Sequence, residues 1–145
     1  LALAALIAGM SWWIGWKAFV MIQLPVLWLG GMAGIWMFYV QHQYEDMYWA
    51  RSGRWDYVAS ALAGASFYDL PKVLRWFTGN IGYHHIHHLS PRIPEYQLAA
   101  CYENVALVQK YAKRLDIRAS LRTVELALWD EARGKMVGFA EAAKS

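Results

Sequence analysis

The sequence predicts an all-α membrane protein: two transmembrane helices, the first truncated, then interfacial helices and a cytosolic helical C-terminal cap. Three observations carry this. Residues 1–44 hold a single charge, Lys17, while residues 45–145 hold all 11 acids and 13 of the 14 Lys and Arg. The chain is 58% hydrophobic with nine Trp and nine Tyr among its 145 residues, richer in apolar and aromatic groups than ordinary soluble domains. Four of its five histidines crowd into residues 84–88. The expected organisation is a transmembrane hairpin over residues 1–46, interfacial helices with the histidine cluster over 47–94, and a cytosolic helical region over 95–145.

A bilayer span takes about 20 mostly apolar residues. Ala18 to Tyr44 is uncharged for 27 residues, room for a tilted span. Leu1 to Trp16 is a second uncharged run, short for a span, without the basic start or small-residue cleavage site of a signal peptide. It reads as the remaining part of a longer helix. Ser11 to Gln23 is then the expected turn between antiparallel spans, with Trp12, Trp13 and Trp16 beside Lys17 as an interfacial belt. Pro25 suits the first turn of the second span. Gly30, Gly31 and Gly34 give it a small-residue stripe.

Thirteen basic residues follow position 50, which places that side in the cytoplasm. The net charge of +3 then describes attraction to an anionic leaflet. No stretch resembles a nucleic-acid module, so no nucleic-acid partner is expected. The lone Cys101 excludes an intrachain disulfide.

At the inner end of the long span, His42, Glu45 and Asp46 fall at i, i+3 and i+4, on one helix face. Metal-bound histidines donate their second ring N–H to a carboxylate or carbonyl, so Glu45 and Asp46 are candidate orienting groups. Trp49 to Tyr68 alternates Arg51, Arg54 and Asp56 with Trp55, Tyr57, Val58 and Leu62, the pattern of a helix in the headgroup plane. Pro71 opens a further element whose apolar side is Val73, Leu74, Trp76 and Phe77. Trp76, Phe77 and Tyr83 serve either as apolar cover for a metal site or as lipid anchors.

His84, His87 and His88 lie at i, i+3 and i+4, within an arc of roughly 100° on a helix. Imidazoles at this spacing offer nitrogen ligands to one metal. An internal cluster interrupted by Ile86 is no expression tag. Imidazole suits Zn, Cu, Fe and Ni, so the spacing alone does not name the ion. Pro91 and Pro94 end this helix. Glu95 to Leu115 and residues 118–132 then read as amphipathic helices of a structural cap.

The stretch Gly79-Asn80-Ile81-Gly82-Tyr83-His84-His85-Ile86-His87-His88-Leu89-Ser90-Pro91-Arg92-Ile93-Pro94 resembles the third histidine box of membrane fatty acid desaturases, with a His-x-x-His-His pattern. The extended motif is most similar to bacterial acyl-lipid enzymes of the delta-12/omega-6 type. Phe38 to Asp46 and Ser66 to Lys72 resemble the same group, so the likeness covers nearly the whole chain.

The resemblance implies a di-iron centre at the cytoplasmic face of a helical bundle. It implies O2 as co-substrate, a lipid-linked acyl chain as substrate, and ferredoxin or cytochrome b5 as electron donor. Carried over by position, His84, His87 and His88 match the third-box ligands and His42 matches the additional histidine of the preceding span. His85 falls on an x position. Asn80, one turn before His84, is a candidate partner for a metal-bound water. The family has two earlier histidine boxes, and no histidine precedes His42. The chain is therefore expected to be a C-terminal portion, inactive alone. Two alternatives stand beside this reading: a related di-iron hydroxylase or ketolase, and a non-redox membrane metal-binding protein.

Overall fold

Where the sequence is uncharged, it forms long helix; where charge returns, the elements become short. In the computed structural model, which describes residues 1–144, the order is α1 (Ala2–Ile14), α2 (Trp16–His42), α3 (Tyr57–Ala63), β1 (Phe67–Tyr68), α4 (Lys72–Phe77), α5 (His84–Leu89), α6 (Glu95–Asn104), α7 (Ala106–Tyr111), β2 (Arg114–Leu115), α8 (Ile117–Arg122), β3 (Leu128–Asp130), β4 (Lys135–Val137) and α9 (Phe139–Ala142). The fold is mostly helical. The chain divides into two units, Leu1–Trp36 and the residues from Met37 onward.

In the first unit, α1 contains no buried residue, and the most apolar stretch of α2 is likewise unburied. Among the described helices α2 alone, at 27 residues, is long and apolar enough to cross a membrane. Its length of about 40 Å exceeds the roughly 30 Å of a hydrocarbon core. The 13 residues of α1 rise only about 20 Å. The broad turn expected over Ser11–Gln23 is absent from the structure: both flanks are helical, and the break is Gly15 alone, whose φ of 85° suits a residue without Cβ. Pro25 accordingly falls inside α2 rather than at its first turn, a position that apolar spans tolerate.

The second unit has a conventional core of Leu62, Phe67, Tyr83, Ile86, Leu98 and Val108. Backbone bonds stitch the end of α2 into it. Ser66 N donates to Gln41 O at 2.8 Å, and Met136 N donates to Glu45 O at 2.8 Å. The Gln41 side-chain amide donates to Ile81 O at 2.7 Å, which joins α2 to the turn leading into α5. Strand β1 pairs in parallel with β2, and Tyr68 N donates to Gly82 O at 2.8 Å. A Cβ on Gly82 would meet Tyr68 O at 2.4 Å, so glycine is required at this approach.

Two parts of the cap depart from the helices expected. The segment 95–115 is divided at Val105 into α6 and α7 and ends in β2. Over 118–132, helix stops at Arg122, and β3 pairs antiparallel with β4. Asp130 accepts from the backbone N–H of Ala132 and Arg133 at 3.0 Å each, and Gly134 completes the turn at φ 65°. That aspartate-to-glycine turn outweighs the helical spacing of Leu121, Val124 and Leu128.

Candidate metal centre

Helix α5 is short because its boundaries are set from both sides. Gly79 and Asn80 take positive φ, at 57° and 54°, so α4 cannot continue into it. At its other end, Ser90 turns extended ahead of Pro91. The Tyr57 hydroxyl lies 2.9 Å from the carbonyl oxygens of both His88 and Leu89, which have no helical partner. Arg75 holds the start, donating to the Tyr83 hydroxyl at 2.9 Å and to Leu70 O at 2.6 Å. Asp69 accepts from both Arg75 and Arg114.

Within this frame His42, at the end of α2, meets α5. His42 Nε2 lies 2.9 Å from His88 Nε2, and His88 Nε2 lies 3.2 Å from His84 Nε2. One ligand nitrogen from each of the three residues falls within 4.8 Å of the others. Two nitrogens each about 2.0–2.1 Å from a shared ion sit about 2.9 Å apart at a right angle and about 3.4 Å apart at a tetrahedral one. The separations fit a common ion. Among the described residues this is the one group of three or more histidine, cysteine or carboxylate side chains so arranged.

The protonation states suit ligation. Burial pushes the His84 imidazolium down to about 3, helped by repulsion from His42, His88, His87 and His85. His88 is lowered for the same first reason, then by His42 and His87. Metals bind neutral imidazole. His84 Nδ1 is buried without a hydrogen-bond partner. His42 Nδ1 lies 2.8 Å from Phe38 O, so as an N–H it donates there and leaves Nε2 as the free lone pair.

The remaining candidates are dispersed. His87 is outside the three-nitrogen group, its ring stacked on His84 with centroids 5.6 Å apart. Helical geometry explains this: His88 is about 40° to one side of His84 and His87 about 60° to the other. His42 approaches from the His88 side. His87 instead lines a cavity of about 480 Å³ shared with Thr78, Ile93 and Glu95. Asn80 lies in the turn before α5, outside the three-nitrogen group. Glu45 pairs with Lys135 at 2.9 Å and Asp46 with Lys113, so both turn to the C-terminal cap. The orienting acceptor of His42 is the Phe38 carbonyl, four residues back, a group present on every helix and marked by no side chain. The roles of Tyr57, Arg75 and Asp69 depend on contacts 5 to 45 residues away, which no local spacing marks.

A family model described as fatty acid desaturase matches residues 1–117. The chain belongs to the fatty acid desaturase family. It is 43% identical over 139 residues to a protein named "Fatty acid desaturase" from Bacillus subtilis (strain 168), covering 96% of this chain and 39% of that protein. The chain thus spans about two-fifths of the length of this relative. The matched region contains all five histidines. Family membership and the long apolar α2 together indicate membrane association.

Proposed function

We propose that this chain forms one wall of the di-iron centre of a membrane enzyme that introduces a double bond into a lipid-linked acyl chain. The observation that carries the reading is the convergence of His42 with His84 and His88 from elements 46 residues apart, in a chain of the desaturase family. His42, His84 and His88 would hold one iron. His87, on the adjoining face of α5, would serve the second. Such a centre supplies the oxidising power, from O2 and two donated electrons, that removal of hydrogen from an unactivated methylene needs.

The chain's own residues then have definable tasks. Phe38 O holds the His42 ring in one tautomer. Burial keeps His84 and His88 neutral and ready to bind. Tyr57 and the Arg75–Tyr83 contact hold the two ends of α5, so that its histidines keep their spacing to His42. Two irons would need more ligands than His42, His84, His87 and His88 supply, and further ligands would complete the centre. The basic residues after position 50 support a centre on the cytoplasmic side, where ferredoxin or cytochrome b5 would deliver electrons.

Acyl profiling of a host expressing the full-length protein tests this. A new double bond, lost in His87→Ala, is the expected result. An unchanged profile, or a hydroxylated or ketonic product, would contradict it.

A further inference from the structure

Away from the neutral histidines, a second group of polar side chains among the described residues brings cations together. A cavity of about 480 Å³ between α4 and α8 is lined by Lys72, Arg75 and Arg118, with Asp69 and Asp116. Of its two carboxylates, Asp69 is ion-paired, and Asp116, which keeps its charge, is turned to the start of α8. Asp69 accepts from Arg75 and Arg114, and Asp116 caps α8 by accepting from Ala119 N at 2.6 Å. Lys72 and Arg118 have no acidic partner among the described residues, and both are exposed. The cleft therefore presents one ammonium, Lys72, and one guanidinium, Arg118, without an ion-pair partner, backed by an Arg75 that shares Asp69 with Arg114.

Ile117 lines the cleft, and α4, which supplies Lys72 and Arg75 to it, carries exposed apolar groups on its outer side. Along α4, Val73, Trp76 and Phe77 are 67%, 75% and 73% exposed, and the Trp76 and Phe77 rings pack edge to face at 4.9 Å. Ile117 and Leu121 of α8 are exposed as well. Water is a poor solvent for such a surface, and an exposed apolar patch of this kind marks a contact site. Aromatic side chains beside free cations match the boundary of a membrane, with the rings at the acyl edge and the cations at the phosphates.

We propose that the α4–α8 cleft binds the phosphate of an anionic phospholipid, with Lys72 and Arg118 on the headgroup and Val73, Trp76 and Phe77 in the outer acyl layer. This contact is separate from the span α2. It rests on membrane association and not on desaturation, so the two readings fail independently. Because Arg75 both lines the cleft and donates to Tyr83 at the start of α5, an occupied headgroup site lies one side chain from the histidine helix.

Hydrogen exchange of the full-length protein in nanodiscs tests the assignment. The backbone amides of 72–77 and 117–121 are compared in phosphatidylcholine and in phosphatidylcholine with phosphatidylglycerol. Each cation near an anionic surface contributes a factor of about five in affinity. Phosphatidylglycerol is therefore expected to slow exchange there by about an order of magnitude, an effect that high salt removes. Lys72→Gln with Arg118→Gln should abolish the phosphatidylglycerol-dependent part and leave exchange in phosphatidylcholine unchanged. Lys72→Arg with Arg118→Lys should restore it, which separates charge from folding. Equal exchange in both lipids would overturn the proposal. So would protection by inorganic phosphate in phosphatidylcholine, which would make the cleft a soluble-anion site, or protection only by an acidic protein, which would make it a protein-docking surface.

Discussion

On one face of α5, His84 and His88 gather with His42; on the other, His85 and Ile86 are sealed into the core. His85 has no exposed surface and lies beside Phe67 and Tyr102, with ring centroids 6.3 and 5.9 Å away. Neither of its ring nitrogens makes a hydrogen bond of normal geometry. Burial drives its imidazolium down to about 4, with the Val108 backbone pulling slightly the other way. Both faces thus hold neutral imidazoles, yet only one offers lone pairs to a common point. What separates a ligand from a core residue here is the helix that arrives opposite it: α2 carries His42 to one face, while α6 brings Leu98 and Tyr102 to the other.

Substitutions can break this contrast. His88→Ala removes the nitrogen nearest both His42 and His84, and should lower iron affinity of the full-length protein by more than about a hundredfold, beyond the cost of losing an outer partner. Retention of iron would place the ion elsewhere. The acid response should come next. His85 has a folded pKa below its unfolded value of about 6.5, so between pH 6.5 and 4 the unfolded chain binds a proton that the folded chain refuses. Its contribution is complete above pH 6.5 and is lost as the pH falls towards 4, on the order of 3 kcal/mol, readable from denaturation midpoints across that window.

Asp69→Asn should cost about 2 kcal/mol, since it strips the charge-assisted partners from Arg75 and Arg114 together. Thermal unfolding measures this. His85→Leu should be the mildest, stabilising by about 1 kcal/mol because an unpaired buried polar ring is replaced by an apolar group. It should leave iron content unchanged and remove the His85 share of the acid response, leaving the shares of His84 and His88. Loss of iron in this variant would show that the two faces are not separable.

The parts of the fold governed by composition were legible. The uncharged run over Ala18–Tyr44 became α2, Pro71 opened α4, and Pro91 with Pro94 ended α5. His42 and the 84–88 cluster were recognisable from spacing and family resemblance, and the fold brings His42, His84 and His88 together. What remained hidden depends on partners distant in sequence. The hairpin over 128–137 needs a strand pairing that helical periodicity mimics. Glu45 and Asp46 shared a helix face with His42 on paper, but α2 ends at His42, so the two carboxylates turn to Lys135 and Lys113 instead.

The convergence of His42 on α5 is tested most directly by iron analysis with X-ray absorption on the full-length protein and its His42→Ala variant. Iron with imidazole scattering in the parent, and loss of both iron and one imidazole nitrogen's scattering in the variant, is the predicted result. Zinc in place of iron, or an iron environment identical in the two proteins, would contradict it.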